Sequence, residues 1–185
     1  MTEEERIEAK QKGWIKLPLT HEDRVICTKI AQARNSEKEK KYGSMTYAGK
    51  RGKLGGAEAH YFGLLPEMGC CRRWGTDIDT RISNSHGYHD FDVIINGHRV
   101  EVKATSYIPP LLRVECEHNY KDIVSFFCTY VENVSMKDFT GDAYLVGWAS
   151  AEKVFSQAPR RLSSNLPLNY ILEESELKRF RSPLA

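Results

Sequence analysis

Asp92, Glu101 and Lys103 fall within one short stretch, GYHDFDVII-NG-HRVEVKATS, whose turn dictates how they meet. Asn96-Gly97 favours a two-residue type I′ turn, because both positions need positive φ. Such a turn sets Ile95 against His98, Ile94 against Arg99, Val93 against Val100, Asp92 against Glu101 and Asp90 against Lys103. Side chains alternate along a strand. Asp90, Asp92, Glu101 and Lys103 therefore share one face, and Phe91, Val93, Ile95, Val100 and Val102 form the core face. Directly opposed Cβ atoms lie about 5 Å apart. Two carboxylates that close repel, and one pKa rises unless a cation neutralises them. Mg²⁺ or Mn²⁺ would do so through hard oxygen ligands and retained waters. Lys103 stands one pleat from Glu101, placed to polarise a water or to stabilise charge growing on an attacked phosphate. The plainer alternative is a solvated ladder, with Lys103 paired to Asp90 and Arg99 near Glu101.

These residues need elements to hold them. Upstream, GAEAHYFGLLPEMG carries Ala57, Tyr61, Leu64 and Leu65 at helical spacing, and Pro66 and Gly69 read as its stop. Glu58 lies in its first turn, where an acid also serves the helix dipole alone. The preceding stretch, 35–56, is rich in Gly, Lys and Ser. Its six basic residues, Lys38, Lys40, Lys41, Lys50, Arg51 and Lys53, stand against the single acid Glu39 between positions 38 and 53, with Tyr42 and Tyr47 interleaved. That mixture suits a nucleic-acid backbone, since bases stack on aromatics and lysines neutralise phosphates; a solvated linker is the alternative. His89, just before the aspartate strand, is a candidate phosphate contact, whereas His86 and His89 in a loop make a poor metal pair.

Elsewhere, Thr20 and Asp23 form a capping box that opens an amphipathic helix over 21–34. CCRRWGTDIDTRIS alternates loosely, as a strand would. RVECE, DIVSFFCTYV and DAYLVGWAS are rich in β-branched and aromatic residues and read as further strands. SAEKVFSQA is a short helix capped by Ser150, and NYILEESELKRF a strand plus a helical turn. The class is α/β in the broad sense, mixed α+β, with helices flanking a central mixed β-sheet. The 185 residues make one domain: an N-terminal helical segment (1–34), a basic linker (35–56), a core (57–158) and a C-terminal extension (159–185).

Composition excludes several classes. The net charge is +2, so any basic footprint must be local. No apolar run approaches the roughly 20 residues of a membrane span. The charged MTEEERIEAKQKG start has no apolar signal core, and the reading is cytoplasmic. Five cysteines, an odd count with no C-x-x-C pair, argue against a disulfide framework or a structural zinc site. No phosphate-cradling or dinucleotide-binding glycine motif is present.

Asp92-Val-Ile-Ile, a short turn, and Glu101-Val102-Lys103, with eight residues between the aspartate and the glutamate, resemble the PD-(D/E)XK, or restriction-endonuclease-like, nuclease superfamily. The stretch Gly52-Lys-Leu-Gly-Gly-Ala-Glu58 through Gly69 resembles the first helix of Holliday-junction resolvases and related phage nucleases, in which a helical glutamate joins the metal site. Asp122-Ile-Val-Ser-Phe-Phe and Tyr144-Leu-Val-Gly-Trp-Ala resemble later strands of small members. The likeness covers about residues 50–155. It departs at Phe91, where a proline is common, and in lacking a helix between Lys103 and the next strands. The resemblance implies a restriction-endonuclease-like core and Mg²⁺- or Mn²⁺-dependent hydrolysis of phosphodiester bonds in DNA, by an endonuclease or exonuclease of phage type. Asp92, Glu101, the Val102 carbonyl and Glu58 would hold the metal, and Lys103 would steady the nucleophile. Asp90 is a rival ligand, DNA the implied partner, and a homodimer is allowed for. The competing reading is a non-catalytic nucleic-acid-binding or assembly protein that retains the fold. An intact Asp92, Glu101, Lys103 and Glu58 favour the enzyme, because a retired site has no physical reason to keep opposed carboxylates.

Overall fold

The computed structural model describes residues 13–42, 56–80, 91–117, 120–164 and 166–180. Lys50, Arg51, Lys53, His89 and Asp90 lie outside these residues, as do the side chains of Lys38 and Lys41.

A short strand β1 (Ile15–Lys16) leads into two helices, α1 (His21–Tyr42) and α2 (Gly56–Trp74). The hairpin β2 (Val93–Ile95) and β3 (His98–Thr105) follows. Then come β4 (Leu111–Glu115), β5 (Ser125–Ser135), β6 (Thr140–Ser150), helix α3 (Ala151–Phe155), β7 (Asn169–Glu173) and a 3₁₀ turn, Glu174–Glu176. The central sheet runs β1-β6-β5-β3-β2. It is mixed: β3 and β5 are parallel, and the other neighbours are antiparallel. β4 and β7 form a separate antiparallel ribbon. The fold is thus α+β around a mixed sheet, as expected.

The sheet is covered on both faces. One core joins Cys27, Ile30 and Ala31 of α1 and Tyr61, Leu64, Leu65 and Met68 of α2 to Val93, Val100, Val102 and Leu145. The other packs Phe126, Cys128, Val146 and Ala149 against Leu112 and Val114 of the ribbon, Val154 of α3, and Leu172. This double cover explains why residues 125–132 are buried without alternation: a strand with no wet face reads as a continuous apolar run.

Local chemistry accounts for the helix ends. The Thr20 Oγ1 accepts from the Asp23 amide (3.1 Å), and the Asp23 carboxylate accepts from the Thr20 amide (2.9 Å), which is the expected capping box. Asp23 also takes the Arg72 guanidinium at 2.6 Å, pinning α1 to α2. Beyond Arg34, α1 continues to Tyr42, where the sequence suggested a linker from residue 35. Glu and Lys are good helix formers, and Asn35–Glu39 (2.8 Å) and Lys40–Glu37 (3.1 Å) support these turns.

α2 likewise runs past Pro66 and Gly69, the expected stop, to Trp74. Pro66 removes one intrahelical hydrogen bond, but Met68, Cys70 and Cys71 beyond it are buried, and that burial keeps the helix going. Gly69 is a close-approach site: a Cβ there would lie 2.7 Å from the Leu17 Cβ. Gly75, at φ +65°, ends the helix in the left-handed conformation. Consequently residues 70–74 are helical and 76–80 irregular, where CCRRWGTDIDTRIS suggested a strand.

β4, β5 and β6 match the three later strands read from the sequence, and Ser150 caps α3 through the Lys153 amide (3.3 Å). The β3–β5 crossover runs through β4 and a loop, with no helix among its described residues. The segment expected as a C-terminal extension supplies β7 and Leu177 to the second core.

Candidate active site

The hairpin turn forms as its sequence dictates. Asn96 and Gly97 have φ of 50° and 79°, and Ile95–His98, Ile94–Arg99 and Val93–Val100 are paired in register. The ladder ends there. Asp92 bends out of it: its amide donates to the Val100 carbonyl (3.0 Å), and its Oδ2 accepts from the Val102 amide (2.7 Å). Asp92 therefore caps the open edge of β3 beyond the last β2 pair, and the flat Asp92–Glu101 pairing expected from the turn gives way to a bend. Phe91 consequently packs with the ribbon-side core, under the Arg99 guanidinium (5.1 Å), and not beside Val93 as alternation suggested.

Within a strand, the N–H and C=O of one residue point to the same side. Since the Val102 N–H points at Asp92, its carbonyl faces that same open edge. Glu101 and Lys103 lie opposite Phe126 and Cys128 of β5, on the ribbon side of the sheet. The Lys103 Nζ sits 2.7 Å from the Glu101 Oε1, and their side chains are only 25% and 14% exposed. That burial argues against a fully solvated ladder, whose Lys103–Asp90 pair falls on a residue outside the described ones. Arg99 is not Glu101's partner either, since it pairs with Asp122 at 3.0 Å. Thr129 Oγ1 donates to the Lys103 carbonyl (3.0 Å) and fixes the strand from the other side.

The helical glutamate whose charge acts on this corner is Glu67. Burial pushes the Glu67 carboxyl up to about 7; Arg34 pulls against this, Glu101 and Asp79 add to it, and Lys103 opposes it. Asp92 is held well above the usual carboxylate range by burial, then by Glu67 and Glu101, against Lys103 and the Val102 amide. The three carboxylates thus sense one another and Lys103, with Arg34 acting on Glu67 as well. Burial disfavours the Lys103 cation, but Glu101, Tyr120 and Asp92 outweigh that and raise it.

Glu58 is exposed in the first turn of α2. Glu67 stands nine positions after Glu58, about two and a half turns, so the two lie on opposite helix faces and roughly 13 Å apart along the axis. Sequence carried a signal for Glu67. It is the sole charged residue of YFGLLPEMGCC, residues 61–71, and a lone charge in an apolar helix run marks a functional or paired site. Reading Pro66 as a terminus hid it.

Two other groups frame the corner. Arg34 donates to the Asp79 carbonyl (3.0 Å), tying α1 to the segment after α2. Tyr120 sets its ring under the Lys103 ammonium, 5.4 Å from the ring centre, and its phenol is pushed up to about 12 by burial, with Lys103 acting oppositely. Of the basic residues proposed to grip phosphate, Lys40 is exposed on α1 and paired with Glu37.

The donor set suits a hard cation. Asp92 and Glu101 offer carboxylate oxygens, the Val102 carbonyl faces the same edge, and Glu67 adds a third acid whose ionisation a cation would favour. Among the described residues, no group of three or more His, Cys, Asp or Glu side chains is arranged to hold a metal ion. A cation here would rest on one or two carboxylates and complete its shell with water, the usual habit of Mg²⁺. No helix among these residues is long and apolar enough to cross a membrane. Compared with known protein families, with curated proteins and with solved structures, the chain matches none.

Proposed function

We propose that this protein is a divalent-metal-dependent nuclease that hydrolyses phosphodiester bonds in DNA, with a restriction-endonuclease-like catalytic corner. The observation that carries the reading is the Asp92 carboxylate seated on the Val102 amide, beside a buried Glu101–Lys103 pair and electrostatically coupled to Glu67. A structural ion-pair network has little use for three acids gathered against Lys103 and the more distant influence of Arg34, because an excess of buried acid destabilises the fold.

Asp92 and Glu101 are the assigned metal-holding residues, with Glu67 taking the role that sequence gave to Glu58. A bound Mg²⁺ or Mn²⁺ supplies Lewis acidity and a water of lowered pKa. The chain's own groups do the rest. The Val102 amide orients Asp92, leaving its second oxygen for the cation. Lys103, held by Glu101, would orient the attacking water and offset charge developing on the phosphate. Partial burial strengthens each of these interactions.

The test is incubation of the protein with circular, linear and branched DNA in Mg²⁺, Mn²⁺ or EDTA, alongside Asp92→Ala and a gel shift. Cleavage that needs metal and Asp92 supports the nuclease. Metal-independent DNA binding without cleavage by the wild type would favour a non-catalytic binding protein instead.

A further inference from the structure

Lys103 is too important to the proposed chemistry to be left to one ion pair. Its other close neighbour is Tyr120, in the loop between β4 and β5. The ammonium lies over the Tyr120 ring, 5.4 Å from its centre. Tyr120 is itself wedged in place. It meets Phe126 edge-on (5.2 Å, 81°) and stacks on Phe155 (6.2 Å, 28°), and Phe155 abuts Tyr170 of β7 (5.2 Å, 77°). A lysine side chain has about four rotatable bonds and much rotamer entropy to lose. A single ion pair leaves it free to swing about Glu101. A π face on a second side confines it, since a cation is drawn to the ring quadrupole.

We infer that Tyr120 is a positioning residue, whose ring holds the Lys103 ammonium in working orientation next to Glu101. The catalytic consequence rests on the nuclease reading, whereas the hold itself does not. The phenol also acts on the ammonium, so Tyr120→Phe keeps the ring contact alone and Tyr120→Leu loses both. The mechanism predicts a fall in kcat of about ten-fold for Tyr120→Leu, the scale of a desolvated cation–π contact, with KM within two-fold of wild type. Tyr120→Phe keeps the ring and gives up only the phenol contact, so its kcat falls by about three-fold or less. Tyr170→Leu thins the same aromatic cluster two rings from the lysine and leaves activity per folded molecule unchanged.

The experiment combines metal-dependent plasmid cleavage by the wild type and these three variants, each normalised to folded protein, with ¹H–¹³C spectra of lysine-labelled protein. The Lys103 ε-methylene signals, assigned by their loss in Lys103→Arg, are displaced by the ring current. They should return to the ordinary lysine position in Tyr120→Leu and stay displaced in Tyr120→Phe. Unmoved signals in Tyr120→Leu overturn the proposal whether or not the protein cuts DNA. Moved signals with undiminished kcat overturn the positioning role. Equal losses in Tyr120→Leu and Tyr170→Leu would mean packing alone. A wild type that cleaves nothing defeats the nuclease reading, and the spectra then decide the hold on Lys103 by themselves.

Discussion

Glu67 and Asp92 carry the electrostatic stress of this molecule, and that stress is measurable. The Glu67 carboxyl moves from an ordinary 4.5 to about 7 on folding, chiefly through burial. An acid whose folded pKa is raised binds its proton more tightly when folded. Its stabilising contribution is therefore complete below the unfolded value and is lost as pH rises toward and through about 7. Removing the charge should recover on the order of 2–3 kcal/mol at alkaline pH. Glu67→Gln should thus melt about 4–10 °C above wild type at pH 8, with the gap closing toward pH 5. Mg²⁺ should narrow the gap by raising the wild type alone, and thermal melts across pH with and without metal check this. On the catalytic side, Asp92→Ala and Lys103→Ala should each cut metal-dependent cleavage by about a hundred-fold or more. Both should leave the gel shift of DNA in place, while Glu58→Ala should cleave normally. Normal cleavage by Asp92→Ala would sink the assigned site and make Asp90 the next residue to test.

At the scale of elements, the site depends on how α2 lies against the sheet. Met68, Cys70 and Cys71 bury the part of the helix that follows Pro66, and Glu67 rides among them. Gly69 lets the chain at Leu17 approach that same turn. Gly69→Val should therefore force Leu17 aside and destabilise the fold by about 1–3 kcal/mol, read as a lowered urea midpoint. Cleavage per folded molecule should fall little, because Leu17 touches none of the reacting groups. A strong loss of activity with unchanged stability would mean that Gly69 acts on the site directly. Helix patterning alone could not show this arrangement. Local rules make Pro and Gly breakers, and they are overridden when residues on both sides of them are buried.

At the scale of the whole molecule, the chain's last described segment is built into the packed core. β7 pairs with β4 along Leu111–Glu173 to Glu115–Asn169, and Ile171, Leu172 and Leu177 are buried. Each such side chain contributes about 1.5–3 kcal/mol by burial. Deleting residues 159–185 removes all three and opens the ribbon, a loss comparable with the stability of an entire domain, about 5–15 kcal/mol. The truncated chain should fail to give a cooperative melt. A well-folded product would show that this segment is dispensable for folding.

The amino-acid sequence by itself determined the hairpin, its register near the turn, and the nearness of Asp92, Glu101 and Lys103, because Asn96-Gly97 permits one tight geometry and alternation does the rest. It also determined the capping box at Thr20–Asp23 and the strands β4 to β6, whose signals are local. Tertiary structure decided everything that depends on which surfaces meet. It bent Asp92 onto the Val102 amide where the ladder runs out. It carried α2 through Pro66, bringing Glu67 to the corner and leaving Glu58 on the opposite helix face. It also placed Tyr120, some seventeen residues beyond Lys103, beneath that lysine's ammonium. Periodicity reports which side of an element is apolar; only packing reports what that side is packed against, and a charged group among apolar neighbours is explained by the partner that packing brings to it.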